Sequence, residues 1–320
     1  MAKEDIVVVA VDGSEASKNA VLWAANTATK RGIPLRIASS YTMPQFLYAE
    51  GMVPPKELYE DLQNETAARI EEARVIAHEA FPDLKIGHTI AEGSPIDMLL
   101  ELSHDVTMIV MGSRGMGGLS GMVMGSVSAN VVSHAHCPVV VVRDNNAVTA
   151  DNKYGPVVVG VDGSEVSGKA TAYAFREAQA RGAELVAIHT WMDMQAQTSL
   201  AGLAAAQAEW GEIEKEQGEL LSERLEPFEN EYPDVKVTRI IARDRPVRAL
   251  SDAAAEAQLV VVGSHGRGGF RGMLLGSTSR ALLQSSPCPV MVVRPESYIG
   301  DEEEVGGQAV LGRQLELPTP

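Results

Sequence analysis

The chain alternates short, almost uninterrupted runs of apolar, largely β-branched residues with longer stretches in which apolar positions recur every three or four residues. Runs such as IVVVAV (6–11) and MIVMG (108–112) lack the polar alternation of a half-exposed strand, so they read as parallel strands covered on both faces. In the first half the pattern predicts strands near 6–11, 35–40, 85–90, 106–111 and 138–142 and helices over about 16–31, 57–80, 95–103 and 126–134. The third of these helices opens with Ser94 as its cap and Pro95 in its first turn, where a missing N–H costs nothing. Such one-to-one alternation is the signature of a parallel sheet covered by helices. A further helical run at 200–226, rich in Ala and Glu, reads as a solvated amphipathic helix.

The pattern is written twice. IVVVAVDGSEAS (6–17) recurs as VVVGVDGSEVS (157–167), IVMGSRGMGGLSGMVMGSVS (109–128) as VVGSHGRGGFRGMLLGSTS (261–279), and HCPVVVVR (136–143) as PCPVMVVR (287–294). Asp162 follows Asp12 by 150 residues and Gly263 follows Gly112 by 151, a near-constant offset that means one domain duplicated. The fold class is therefore α/β, two tandem Rossmann-like domains at 1–146 and 156–298. The linker, 147–155, lies in the polar, aperiodic segment RDNNAVTADNKYG. Residues 299–320 open on an acidic run and carry Gly and Pro without pattern, so they read as a disordered tail.

Charge narrows the function classes. With 27 Lys+Arg against 43 Asp+Glu the formal net charge is −16, a poor match for a nucleic-acid binder, whose affinity rests on cations that neutralise phosphates. No apolar run approaches the roughly 18 residues of a membrane helix. The two cysteines, Cys137 and Cys288, make no disulfide framework and have no metal spacing, so a reducing cytoplasm fits. Their equivalent positions just before the last strand of each copy point to a small buried residue rather than redox chemistry. His134 and His136 flank Cys137's approach, but the second copy has Ser285 and Pro287 there, which argues against a metal. Trp23, Trp191 and Trp210 read as packing residues.

The informative spacing is Gly112-x2-Gly115-x9-Gly125-Ser126, repeated without a change in length as Gly263-x2-Gly266-x9-Gly276-Ser277. Each loop leaves the carboxyl end of the fourth strand, where open α/β sheets bind ligands, and leads into a helix. Glycines let the backbone enter positive φ and bring N–H groups close to an anion, and a helix start adds donors and a favourable dipole. Neither loop contains an acid in this acidic chain; the first has Arg114, the second His265, Arg267 and Arg271. Ser126 and Ser277 can donate to a phosphate or cap their own helices. Asp12 and Asp162, ending the first strand of each copy, can accept from a base or ribose or help hold Mg²⁺; alternatively DGSE is a turn and helix cap. No P-loop lysine, strand-adjacent G-x-G-x-x-G or catalytic triad stands out, so binding is better supported than turnover.

These residues resemble the universal stress protein family in its tandem, ATP-binding form, whose members carry the same glycine spacing after the fourth strand and an Asp at the end of the first. The resemblance spans about 5–144 and 155–295. It implies an open five-stranded parallel sheet of order 3-2-1-4-5 in each half, with ATP, alone or as its Mg²⁺ complex, across the carboxyl ends. Asp12 and Asp162 would meet the adenosine end, Ser40 and Thr190 would line the adenine pocket, and the loop residues would hold ribose and phosphates. It also implies pairing of 138–142 with 289–293 within one chain, with homodimerisation plausible. The expected function is that of a cytoplasmic, non-catalytic regulator of stress survival or growth, with ATP as effector. The alternative is a slow ATPase or nucleotide-dependent phosphotransferase using the same loops.

Overall fold

The structure, a computed structural model, describes residues 4–44, 55–115, 124–143, 155–191, 203–243, 245–266 and 274–297. The chain divides into two compact units, 1–153 with 287–292, and 154–286 with 293–320. Residues 147–154 of the expected linker and the whole of the expected tail, 299–320, fall outside the described residues.

The first unit runs β1 (Glu4–Ala10), α1 (Glu15–Arg31), β2 (Leu35–Tyr41), α2 (Lys56–Ala80), β3 (Ile86–Glu92), α3 (Pro95–Leu102), β4 (Val106–Gly112), α4 (Ser126–His134) and β5 (Val139–Val142). Its strands lie in the order β3-β2-β1-β4-β5, all parallel, as expected. Val7, Val8, Val9, Ile109 and Val110 are fully buried, because helices cover both faces of the central strands. Burying each such side chain contributes about 1.5–3 kcal/mol, which is what makes these valine runs strands. Helix α1 begins where Ser14 caps the Ser17 N–H and stops at Gly32, whose φ of 67° is left-handed, after Lys30 and Arg31 in the last turn.

The second unit repeats the plan with β6 (Val157–Gly160), α5 (Glu165–Arg181), β7 (Leu185–Thr190), α6 (Leu203–Glu231), β8 (Val237–Ala242), α7 (Pro246–Ala254), β9 (Leu259–Gly263), α8 (Ser277–Ser285) and β10 (Val290–Val293). Its strand order is β8-β7-β6-β9-β10. Residues 287–292 count with the first unit, where Val290 and Val292 of β10 pair antiparallel with Val141 and Val139 of β5, the pairing of 138–142 with 289–293 that the resemblance implies.

Helix α6 extends five residues past the predicted end at 226, through Pro227. A proline there removes a backbone donor and crowds the preceding turn. Apolar anchoring outweighs it: Leu221 and Leu225 are fully buried, and Phe228 and Tyr232 pack against Phe175 with ring centroids 5.7 and 5.9 Å away. The helix is therefore docked on one face rather than wholly solvated. A buried ion pair, Arg181 Nε to Glu177 Oε2 at 2.9 Å, locks α5, and Arg181 Nη1 also donates to Gln258 Oε1 at 3.2 Å.

Candidate functional site

The DGSE turn places the first site residue. Gly13 has φ 91° and Gly163 φ 78°, a left-handed conformation that glycine accepts without strain, and each swings the chain from strand into helix. Asp12 Oδ1 accepts from the Ser14 N–H at 3.0 Å and the Ser14 hydroxyl at 2.7 Å. Asp162 repeats this with Ser164 at 2.9 and 2.7 Å. One carboxylate oxygen thus holds the turn, as the turn-and-cap reading expects, while the other faces the glycine loop. A Cβ built on Gly115 would lie 2.3 Å from Asp12 Oδ2, and one on Gly266 would lie 2.2 Å from Asp162 Oδ2. Only glycine leaves room for that approach.

The other loop glycines are needed for similar reasons. A side chain on Gly112 would strike Ala16 Cβ at 2.8 Å, and one on Gly263 would touch Val166 Cγ1 at 3.0 Å, so β4 and β9 end tight against the first helix of their units. Of the two expected uses of the loop glycines, positive φ is corrected: among the described residues Gly112, Gly115, Gly125 and their copies have none, and it is close approach that demands Gly112, Gly115, Gly263 and Gly266, while a Cβ on Gly125 would find nothing nearer than 3.6 Å. The loop closes on itself, Gly125 N–H donating to Ser113 O at 2.8 Å and Gly276 N–H to Ser264 O at 2.6 Å.

Ser126 and Ser277 begin their helices but do not cap them. The cap positions are Gly125 and Gly276, without a side-chain cap hydrogen bond. Serine two residues on does the anchoring, Ser128 Oγ donating to Gly112 O at 2.8 Å and Ser279 Oγ to Ser264 O at 2.9 Å. The first intrahelical bond of α4 is Ala129 N–H to Gly125 O, which leaves the N–H groups of Ser126, Val127 and Ser128 without intrahelical partners. All three residues face a cleft of about 840 Å³ at the carboxyl ends of β1, β2 and β4.

Every residue predicted for the first site lines that cleft: Asp12 and Ser40 on one side, Gly112, Arg114 and Gly115 in the loop, Gly125 and Ser126 at the helix start. Met98 and Leu99 of α3 and Val11 supply apolar wall. In the second unit Asp162, Gly263, Gly266 and Gly276 come together as their counterparts do, while Thr190 ends β7 and His265 lies with Nδ1 3.0 Å from Ser264 Oγ. Arg267 and Arg271 fall outside the described residues.

Sequence reasoning missed Arg69. It enters the cleft from α2, with Nη2 3.3 Å from Thr66 Oγ1 and 3.6 Å from Glu65 Oε1. No motif marks it; the signal available was the duplicate, where the equivalent position is Leu220.

The family model for the universal stress protein family matches residues 4–143 and again 153–294. The chain belongs to the universal stress protein family. Its tandem form is shared over nearly full length with universal stress protein Rv2005c of Mycobacterium tuberculosis (strain ATCC 25618 / H37Rv), 41% identical over 297 residues, covering 91% of this chain and 98% of that one. Universal stress protein Rv2623 of the same strain is 37% identical over 293 residues, covering 90% and 96%. Among solved structures, a universal stress protein from Archaeoglobus fulgidus DSM 4304 is similar in fold, with TM-score 0.64 at 21% identity, covering 90% of this chain and 98% of the other.

Cys137 and Cys288 are buried and in no disulfide, Trp23 is core, Trp191 is half-buried, and the side chain of Trp210 lies outside the described residues. His134 Nδ1 lies 2.9 Å from Asn130 O, and His136 stacks on His104 with centroids 3.8 Å apart. Among the described residues no group of three His, Cys, Asp or Glu is placed to hold a metal ion, and no helix is long and apolar enough to cross a membrane.

Proposed function

We propose that this universal stress protein is a regulatory protein that binds ATP as an effector, one nucleotide per unit. The observation that carries the reading is the convergence in one cleft of Asp12, the Gly112–Gly115 loop and the open N–H groups at the start of α4. A helix start offers N–H donors and a favourable dipole to anionic oxygens, so the phosphates belong against Ser126–Ser128. Asp12, beside Gly115 of the loop, accepts from ribose hydroxyls, and the apolar wall of Val11, Met98 and Leu99 receives the base. The volume lies within the usual 300–1,000 Å³ of small-molecule sites.

The second unit is included because its Asp162–Gly266 approach and Gly276–Ser264 closure repeat the first to within a few tenths of an ångström. Bound ATP acts by shifting populations: it favours whichever conformation binds it better, by no more than the difference in affinity. The test is to denature gently purified protein and identify released nucleotide by chromatography, then titrate the emptied chain calorimetrically. Recovery of ATP, or binding lost stepwise in Gly115→Asp and Gly266→Asp chains, supports the reading. An emptied chain that takes up no nucleotide refutes it.

A further inference from the structure

The two units hold the main chain beneath their site aspartates differently. In β2 Ala38 lies opposite Ala10, and in β7 Ile188 lies opposite Gly160, so the strands correspond at an offset of 150 and Ser39 matches His189. Both side chains are buried. Ser39 Oγ donates to Val11 O at 2.9 Å, and His189 Nδ1 lies 2.6 Å from Val161 O. A carbonyl only accepts, so Nδ1 carries the proton. The Val161–Asp162 peptide unit is thereby held from both sides, its carbonyl by His189 and its N–H by Ser167 Oγ at 3.0 Å. From that peptide Asp162 projects, Oδ1 bonded to Ser164 and Oδ2 facing Gly266.

An imidazole has a second nitrogen to use, which a hydroxyl lacks. His189 Nε2 lies 3.2 Å from Gln217 Oε1 on α6. A side-chain amide can turn to present either its oxygen or its NH₂, so this contact closes whichever role Nε2 takes. Gln217 precedes Leu221 and Leu225 by four and eight residues, which puts it on the face by which α6 is buried. A hydrogen-bonded line thus runs from the docked face of α6 through His189 to the peptide that carries Asp162. Among the described residues the first unit has no such line. Helices α2 and α6 end alike, Phe81 N–H bonding to Ala77 O and Tyr232 N–H to Phe228 O, so residues 151 apart correspond and Thr66 matches Gln217. Thr66 Oγ1 donates to Leu62 O of its own helix at 2.8 Å, and Ser39 goes no further than Val11.

We infer that His189 is a positioning residue of the second site: it fixes the aim of Asp162 and ties it to the docking of α6, so ATP affinity in the second unit depends on that helix through a bond the first unit lacks. The inference rests on the nucleotide reading of the second unit. A hydrogen bond to a carboxylate weakens steeply with angle and distance, so a peptide left to rock lowers affinity although His189 itself touches no ligand. The coupling is reciprocal, and ATP bound at the second site steadies α6 in return.

The probe is ATP, titrated calorimetrically into the full chain carrying Gly115→Asp so that the second site is read alone. His189→Leu, which takes the donor from Val161 O, weakens ATP about tenfold, or about 1.4 kcal/mol. Gln217→Leu, at a half-buried helix position, weakens it about fivefold. His189→Ser restores the arrangement of the first unit and stays within about twofold of the Gly115→Asp parent; in that background Gln217→Leu changes affinity by less than about 1.5-fold. This cycle carries the test should His189→Leu fold poorly. In a Gly266→Asp chain, where the first site is read, none of these substitutions alters ATP affinity. A Gln217→Leu loss of the same size with and without His189→Ser, or melting temperatures that fall while second-site affinities hold, overturns the inference and leaves the second unit a nucleotide site. A Gly115→Asp chain that takes up no ATP overturns both readings.

Discussion

Replacing Gly115 with alanine adds one methyl group, and the structure says where the damage goes. That carbon would sit 2.3 Å from Asp12 Oδ2, about 1 Å inside contact distance, so the carboxylate must turn away. Turning costs its bonds to the Ser14 N–H and hydroxyl, the anchor of the turn that starts α1. Hydrogen bonds to a charged group contribute about 1.5–3 kcal/mol each, and partial relaxation brings the expected loss of stability to about 1–3 kcal/mol. Gly125→Ala is the control, since its added carbon finds nothing nearer than 3.6 Å, and it is expected to cost less than about 1 kcal/mol. Because the clash is with one side chain, the cost of Gly115→Ala falls by about 1–2 kcal/mol in an Asp12→Ala background. Urea unfolding of the four chains of this cycle measures the coupling. Equal costs of Gly115→Ala in both backgrounds refute the claim that Asp12 is what the glycine accommodates.

Other outcomes follow from the same geometry. Glu177→Ala removes the carboxylate that faces the buried Arg181 and is expected to cost about 3–5 kcal/mol in chemical unfolding; a loss under about 1 kcal/mol contradicts the pairing. The Thr238 hydroxyl and then Lys236 hold the Glu184 carboxyl below its usual range. Its folded value being the lower, the stabilisation is complete above the unfolded value of about 4.3 and is lost as pH falls through the folded one. Thr238→Val therefore flattens the acid limb of the stability profile. With His265, Arg267 and Arg271 in its loop against Arg114 alone, the second site is expected to bind phosphate more tightly and with the steeper salt dependence. Titrating ATP at several salt concentrations into the Gly115→Asp and Gly266→Asp chains checks this, and parallel slopes contradict it.

The strands and the position of the glycine loops were legible in the sequence because one local cause decides each. Valine runs such as Val7–Val9 can only be buried strands, and a spacing repeated unchanged at Gly112 and Gly263 marks a backbone that tolerates no insertion. The reason for each glycine was not legible. Positive φ belongs to Gly13 and Gly163 in the turn, whereas the described loop glycines answer to Asp12, Asp162, Ala16 and Val166, contacts between residues about 100 positions apart. Capping was misassigned because Ser126 and Ser277 have the right side chain one position too late in the chain. Helix α6 passes Pro227 because Phe228 and Tyr232 dock on Phe175, a tertiary gain that a local breaker rule does not weigh. Arg69 escaped because helix rotation, not spacing, decides which of many charged residues on α2 enters the cleft.

The stoichiometry of ATP on the full chain and its loop variants tests the proposed pair of effector sites most directly. Calorimetric titration is expected to give two nucleotides per chain, one in either Gly115→Asp or Gly266→Asp, and none in the double variant, with melting curves showing all four folded. Two nucleotides bound by a folded double variant would contradict it.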